Sequence, residues 1–192
     1  MIGEKYLFVV SGPSGTGKDT IVAKLLEDHP EIERTISATT RAMRPGEQDG
    51  VNYHYVTREK FETLLGQDQI VEHTCYCDNY YGTLRSEIER HMQEKIPVIL
   101  VIEVEGASNI KRMYPGATTI FVLPPDMQEL EHRLRFRGSE DEETIQKRLK
   151  RAETEIANSV EYDEHVVNVE VDSCAESLYA IIQFKLKHGR DE

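Results

Sequence analysis

Short apolar runs alternate with amphipathic stretches along most of this chain. Residues 7–10, 97–102 and 118–123 are almost continuously apolar, and Val166 and Val167 form a shorter run of the same kind. Runs of this length, bounded by turn residues, predict buried strands. We therefore expect four core strands in a sheet that is covered on both faces.

Helices are predicted between these strands. The segment 20–27 places its apolar residues on one helical face, and His29 and Pro30 end that helix because proline disfavours a helical residue before it. A final helix carries apolar residues at helical spacing, which are Leu178, Ile181, Ile182 and Leu186. Strands and helices in alternation predict an α/β fold with a parallel sheet flanked by helices.

Two regions interrupt this alternation. Residues 34–84 are rich in polar and aromatic residues, with glycine turns and weak strand signals, which predicts a small inserted subdomain. Residues 127–155 read as two helices that meet at Gly138 and Ser139. They carry seven basic residues: Arg133, Arg135, Arg137, Lys147, Arg148, Lys150 and Arg151. We expect a single domain of 192 residues, with a core (about 1–33, 97–126 and 156–192), an insert (about 34–96) and a helical lid (about 127–155).

The composition is ordinary for a globular protein, with 39% hydrophobic and 30% charged residues. A formal net charge of −12 argues against a protein that coats nucleic acid or an anionic membrane, because both are negatively charged themselves. A small polyphosphate remains compatible, since it senses a local basic cluster. The apolar start of the chain is too short for an export signal, so we expect a cytoplasmic protein with its three cysteines as free thiols.

Residues 12–18 read Gly-Pro-Ser-Gly-Thr-Gly-Lys, the pattern of a phosphate-binding loop. Glycines let backbone N–H groups turn towards phosphate oxygens, and the following helix presents its positive N-terminus to the same anion. The residues expected to bind the phosphates of a nucleotide are Gly12, Pro13, Ser14, Gly15, Thr16, Gly17, Lys18, Asp19 and Thr20. Lys18 is expected to reach the β- and γ-phosphates.

The position after Lys18 departs from this pattern, which has a serine or threonine there to help hold magnesium. This chain has Asp19 and then Thr20. A carboxylate beside a triphosphate is repelled unless it faces away or joins the magnesium shell. We expect Asp19 to lie in the first helical turn, where a negative charge is favourable, and Thr20 to assist the metal.

Several further motifs are more specific than the loop. Residues 39–53 read Thr-Thr-Arg-x-x-Arg-x-Gly-Glu-x-x-Gly-x-x-Tyr, and residues 79–83 read Asn-Tyr-Tyr-Gly-Thr. Shorter matches follow in order: Gly-Ala at 106–107, Leu-Pro-Pro at 123–125, Arg-Gly at 137–138 and Glu-Tyr-Asp at 161–163. Over nearly its whole length the sequence resembles the guanylate kinase family, whose members transfer a phosphoryl group from ATP to GMP.

The resemblance implies a P-loop NTPase-type sheet with an inserted GMP-binding subdomain and a helical lid, Mg²⁺ as cofactor, and ATP and GMP as substrates, with dGMP as a further acceptor. It assigns GMP binding to Ser37, Arg41, Arg44, Tyr53, Glu72, Tyr81, Thr83 and Glu103. It places Asn168 near the adenine of ATP. The implied catalytic residues are Lys18, Arg41, Arg137 and Arg148. We expect a monomer or homodimer, with no nucleic acid or membrane partner.

The chemistry of these residue types agrees with the resemblance. Guanidinium forks such as those of Arg41 and Arg44 suit a phosphate, and tyrosine hydroxyls can donate to the same oxygens. The carboxylate of Glu72 can accept both donors on the Watson–Crick edge of guanine, whereas adenine would leave it poorly paired. The attacking oxygen of GMP is already anionic, so no general base is needed and the histidines at 73, 91 and 132 are expected to be structural or exposed.

One strand end departs from the family. The family commonly has acid-x-Asp-x-Gln-Gly, whereas this chain has Val101, Glu103 and Glu105 at the three varying positions. Glu103 keeps an acid that is one methylene longer, and with Thr20 it is the expected magnesium ligand. Val101 removes a possible contact to the nucleotide.

Two alternative functions remain open from the sequence. A related kinase for a phosphorylated sugar such as ribose 1,5-bisphosphate also suits a Gly-Lys-Asp loop, but it would not need Glu72 or the arginine-rich insert. A catalytically silent binding module of the same family would typically lose the loop lysine or the lid arginines, and Lys18, Arg137 and Arg148 are all present.

Overall fold

The computed structural model describes residues 3–76, 78–136 and 141–189, which form two sheets surrounded by helices. The strands are β1 (Leu7–Ser11), β2 (Glu33–Arg34), β3 (Ala38–Thr39), β4 (His54–Tyr55), β5 (Ile70–Tyr76), β6 (Asn79–Leu84), β7 (Val98–Val101), β8 (Thr118–Leu123) and β9 (Glu164–Val167). The helices are α1 (Lys18–Asp28), α2 (Arg58–Gly66), α3 (Arg85–Glu94), α4 (Val104–Met113), α5 (Met127–Phe136), α6 (Glu142–Ala157) and α7 (Val171–His188).

The main sheet has five parallel strands in the order β2-β7-β1-β8-β9. The expected parallel α/β sheet is confirmed, and its four expected strands are all present. Strand β2 was not expected, because Glu33 and Arg34 give no apolar signal. The expected boundary between core and insert, at residues 33 and 34, therefore cuts through a core strand.

Both faces of the main sheet are buried. Side chains alternate along β1, so Phe8 and Val10 lie in one apolar cluster with α1 and α7, while Leu7 and Val9 lie in a second cluster with α3 and α4. A strand that is buried on both faces has no polar side, which explains why its sequence is a continuous apolar run.

The insert forms a separate four-stranded sheet in the order β4-β3-β6-β5. Its small core contains Ala38 and Ile70 around the fully buried ring of Phe61 from α2. Phe61 stacks on Tyr80 with 5.2 Å between ring centroids. This sheet has its own hydrophobic core, which is separate from the two clusters that cover the main sheet.

The helical hairpin consists of α5 and α6, and α5 also packs on the phosphate loop. Helices α5 and α6 share a cluster formed by Leu130, Leu134, Ile145 and Ala152. Leu130 and Leu134 also lie against Gly15 of the phosphate loop, where an added Cβ would stand 2.9 Å from Leu134 Cδ2. Helix α5 is thus packed on the phosphate loop. The expected turn at Gly138 and Ser139 lies outside the described residues.

The carboxyl ends of parallel strands lie at one edge of a sheet, and the candidate site residues of the core lie at this edge. The loop after Ser11, the residues after Val101 and Asn168 after β9 all lie there, and so does Arg34 at the end of β2.

Candidate active site

The glycine-rich segment 12–18 folds as a loop whose carbonyl groups bind the side chain of its own lysine, Lys18. Gly12, Gly15 and Gly17 have φ angles of 140°, 96° and 86°, a region that side chains disfavour. The ammonium group of Lys18 donates to the carbonyl oxygens of Gly12 at 2.5 Å and Pro13 at 3.0 Å. Lys18 is only 8% exposed, so its charge lies inside the loop.

Asn168 fixes the loop from the far end of the chain. Its side-chain amide donates to the carbonyl oxygen of Thr16 at 2.7 Å, and it is almost fully buried. Its backbone N–H donates to Leu123, and its backbone carbonyl accepts from Arg133. Asn168, which was expected near adenine, thus joins the loop, β8 and α5.

Asp19 lies in the first turn of α1, as expected. Its carboxylate accepts a hydrogen bond from Arg34 at 3.0 Å and is otherwise largely exposed. Thr20, the next residue, is also exposed. The two residues are therefore accessible at the start of the helix, whereas Lys18 is buried.

The half-buried Glu72 and the buried Thr83 form a polar pair in the insert. They face each other across β5 and β6, and the Thr83 hydroxyl donates to Glu72 Oε1 at 2.6 Å. The other carboxylate oxygen points towards Gly106, where a Cβ would lie 3.1 Å away. Burial raises the pKa of Glu72, with a smaller contribution from the nearby Glu103 carboxylate, while the Thr83 hydrogen bond opposes the rise.

Arg41 is held by a carboxylate that we did not assign from the sequence. Its guanidinium donates to both oxygens of Glu47, at 3.0 and 2.8 Å, and lies over the rings of Tyr53 and Tyr55. Glu47 also accepts from the Tyr55 hydroxyl at 2.7 Å and the Arg44 backbone N–H at 2.8 Å. The Arg41 bond lowers the pKa of Glu47 to about 2, and the same bond raises the pKa of Arg41.

The remaining residues expected at GMP surround this group. Tyr53 and Tyr81 meet edge to face with 5.9 Å between ring centroids. Ser37 is half-buried and accepts from the His54 backbone N–H through its carbonyl, while the Arg44 side chain is exposed. Seven of the eight expected GMP residues are therefore in the insert, and Glu103 alone comes from the core.

Glu103 occupies the N-cap position of α4, just after the end of β7, without a capping hydrogen bond from its side chain. Its carboxylate accepts from Arg151 of α6 at 3.4 Å, and Arg151 also donates to the buried carboxylate of Glu155 at 2.7 Å. The lengthened acid at 103 thus contacts α6.

The basic residues of the hairpin are mostly paired with acids of the same hairpin. Arg133 binds Glu129, Arg135 binds Glu131 and Glu142, and Lys147 binds Glu143. Arg148 instead reaches the phosphate loop, with 3.4 Å between its guanidinium and Ser14 Oγ. Arg137 lies outside the described residues.

The family model for guanylate kinase matches residues 4–185. The chain belongs to the guanylate kinase family. It is 46% identical over 176 residues to a guanylate kinase of Desulfitobacterium hafniense (strain Y51), covering 92% of this chain and 88% of that protein. It is 43% identical over 183 residues to the one of Prochlorococcus marinus (strain MIT 9312), covering 95% and 100%.

A solved structure supports the same conclusion. The crystal structure of guanylate kinase from Anaplasma phagocytophilum matches with a TM-score of 0.72 and 32% sequence identity. The match covers 96% of this chain and 86% of that one. The guanylate kinase family also defines the class of enzyme, a nucleoside monophosphate kinase.

Sequence reasoning missed three contacts of this guanylate kinase family member. Glu47 was part of the recognised motif, and a lone acid six residues from Arg41 in a glycine-bounded loop was a usable signal. Arg34 and Arg151 gave no such signal, because their partners lie on other elements.

The donor groups near the loop are compatible with magnesium. Mg²⁺ is usually held by one or two protein oxygens together with substrate phosphates, and retains water for the rest. The Thr20 hydroxyl and the Glu103 carboxylate are exposed oxygen donors on neighbouring segments that follow β1 and β7. Within residues 3–76, 78–136 and 141–189, no group of three or more His, Cys, Asp or Glu side chains could hold a metal by itself.

The histidines expected to be structural or exposed have clear positions. His91 is fully buried, where it contacts a carboxylate oxygen of Glu33 at 2.9 Å, while His73 and His132 are exposed.

Cys75 and Cys174 are free thiols, and Cys77 lies outside the described residues. In the described part of the chain, no helix is long and apolar enough to cross a membrane.

Proposed function

We propose that this protein transfers the γ-phosphoryl group of ATP to GMP, and also to dGMP, giving ADP and GDP or dGDP. The observation that carries the proposal is the half-buried Glu72 carboxylate with the buried Thr83 hydroxyl beside it. Guanine presents two adjacent donors, N1–H and the exocyclic amine, which one carboxylate accepts together. A base without these donors leaves a buried acid unpaired, which is costly.

The phosphate of GMP binds at the other end of the insert. Arg41 and Arg44 supply guanidinium groups, and Tyr53 and Tyr81 supply hydroxyl donors. The hydrogen bonds that Arg41 donates to Glu47 hold its guanidinium in one orientation before the substrate arrives. Ser37 adds a hydroxyl near the base, so the insert contacts both the base and the phosphate of GMP.

ATP binds along the loop at 12–20, with Lys18 directed at the β- and γ-phosphates and Asn168 supporting the loop beside the adenine. Thr20 and Glu103 are the residues that would hold Mg²⁺. The ion, when bound, neutralises phosphate charge and supplies no proton. Arg148, which already lies beside Ser14, and Arg137 complete the positive surroundings of the transferred group.

The residues act by alignment and charge neutralisation. A GMP phosphate oxygen is anionic at neutral pH and attacks without a general base. Lys18, Arg41, Arg137 and Arg148 neutralise charge on the oxygens of the donor, the acceptor and the group between them. Closure of the insert and the lid excludes water, so that GMP is the acceptor.

The test is an assay of ADP release with ATP and Mg²⁺, comparing GMP and dGMP with AMP, CMP, UMP and ribose 1,5-bisphosphate. Turnover confined to the two guanine nucleotides is the expected result. Turnover with the sugar bisphosphate would identify the related sugar kinase. A folded protein that binds ATP and GMP without releasing ADP would be the silent binding module, and would refute the proposal.

A further inference from the structure

Asp19 places a negative charge directly after the loop lysine. The N-terminus of α1 offsets part of this charge, since the first turn of a helix favours an acid. The same N-terminus has to attract the phosphates of ATP, which carry several negative charges. An uncompensated carboxylate at this position would therefore weaken polyphosphate binding.

Arg34 is the group that faces this carboxylate. One of its terminal nitrogens donates to Asp19 Oδ1 at 3.0 Å, and the side chains are 41% and 75% exposed. The partners belong to different elements: Arg34 ends the edge strand β2, and Asp19 begins α1. Because parallel strands end at one edge, the fold itself brings Arg34 to the phosphate loop.

The direction of the contact is informative. Lys18 turns inward to the carbonyls of Gly12 and Pro13, while Asp19 turns outward to β2. The guanidinium thus holds the carboxylate on the side away from the loop interior and neutralises it there. Lys24 and Asp28 form an ion pair further along α1. This pair serves as a reference, because it has the same two charges as the Arg34–Asp19 pair.

We propose that Arg34 is a positioning residue of the ATP site, which holds and neutralises Asp19 so that a phosphate loop with an acid at this position still binds ATP. This inference rests on the proposed binding of ATP at residues 12–20. Arg34 acts through Asp19 and does not touch the nucleotide.

The test is a cycle of four proteins: the parent, Arg34→Ala, Asp19→Asn and the double variant. ATP binding is measured by calorimetry, and KM for ATP and kcat are measured separately. Arg34→Ala is expected to weaken ATP binding and raise KM by about three- to tenfold at low salt, less at high salt, with kcat within about twofold. The double variant and Arg34→Lys are expected to return to within about twofold of the parent.

Lys24→Ala is the matched control, since it removes one positive charge from an ion pair on α1, the helix that also carries Asp19. Its ATP affinity is expected to stay within about twofold of the parent. The proposal is overturned if Arg34→Ala binds ATP like the parent, or if the double variant is as weak as Arg34→Ala, because Arg34 would then act on the phosphates directly. Should Arg34→Ala lose its melting transition, Arg34→Gln takes its place in the cycle.

The binding measurement separates this inference from the proposed reaction. A parent that binds ATP but does not phosphorylate GMP would refute the function, while the calorimetric cycle would still decide the role of Arg34. A parent that does not bind ATP would refute both.

Discussion

At the scale of single residues, Glu72 is a destabilising group that the proposed substrate makes useful. Its carboxylate is half-buried with one hydroxyl donor, from Thr83, and the loss of solvent raises its pKa. The folded protein therefore holds a proton on Glu72 more tightly than the unfolded chain does. Stability from this group is present at low pH and is lost as pH rises through the raised pKa, above which the ionised acid is a cost.

We expect Glu72→Gln to have opposite effects on stability and activity. Removing the ionised acid should raise the melting temperature of the ligand-free protein by about 2–4 °C at pH 8. The gain should shrink as pH falls, because the parent then becomes protonated. The value of kcat/KM for GMP should fall about 100-fold, since the amide presents a donor to a donor. Equal melting temperatures at pH 8 would contradict this account of Glu72.

Gly15 offers a second test at this scale. It combines a φ of 96° with a contact to Leu134, whereas Gly46 has a φ of 87° and nothing within 4 Å of an added Cβ. Gly46→Ala should cost about 1 kcal/mol from backbone strain alone. Gly15→Ala should cost about 2–4 kcal/mol, because the methyl group also displaces α5. Urea unfolding of both variants measures the difference, and similar values would show that the loop and α5 adjust freely.

At the scale of elements, the loop between β3 and β4 is organised by one carboxylate. Glu47 accepts from Arg41, from Tyr55 and from the Arg44 backbone, so three points of the loop depend on it. Such a network holds a guanidinium in position before a phosphate binds, which reduces the ordering cost of binding.

Glu47→Gln should therefore loosen the loop and raise KM for GMP by about tenfold, with a smaller change in KM for ATP. The pKa of Glu47 is lowered to about 2 by the bond from Arg41, so its stabilising effect is present above its ordinary pKa of 4.5. The difference in melting temperature between parent and variant should thus be largest near neutral pH and shrink as pH falls from 4.5 towards 2. Glu62→Gln, on the exposed face of α2, is the control. A difference that is independent of pH would argue against an ionic role.

The elements also show what the sequence could predict. The long core strands were predictable because burial on both faces leaves only apolar residues, as in Leu7–Ser11. Strand β2 was not, since Glu33 and Arg34 are a strand only because β7 lies beside them. Helix α1 begins two residues earlier than the apolar pattern indicated, because its first turn belongs to the phosphate loop and is polar.

The candidate site divides in the same way. Local spacing predicted the role of Lys18, and the resemblance to the family assigned Arg41 and Glu72, because each belongs to a motif of adjacent residues. The contacts from Arg34 to Asp19 and from Arg151 to Glu103 span 15 and 48 residues, and spacing carries no information about such pairs. Only the strand order brings them together.

At the scale of the whole molecule, helix α5, helix α6 and the insert differ in how they are attached to the core. Helix α5 is fixed by Leu130 and Leu134 against the phosphate loop, whereas α6 contacts the core through polar groups such as Arg151 and Arg148. The insert has its own core around Phe61. The mobile part of the hairpin is therefore expected to be α6, with α5 moving as part of the core.

Hydrogen exchange tests this division. Amides of α5 should be protected in the free protein to nearly the level of β1, while the first turns of α6 should exchange faster. GMP alone should protect residues 36–84, and ATP alone should protect residues 12–20 and α6. Protection of α5 that appears only with ATP would show that both helices of the hairpin close together.

The contact from Asn168 to Thr16 spans 152 residues and has a consequence for synthesis on the ribosome. All of the phosphate loop has been made within the first tenth of the chain, yet the side chain that supports it arrives with the last strand. Domains acquire their structure as the chain emerges, N-terminal part first. The contact from Asn168 to the loop can therefore form only after β9 has emerged, so the loop of the nascent chain lacks this support until synthesis is almost finished.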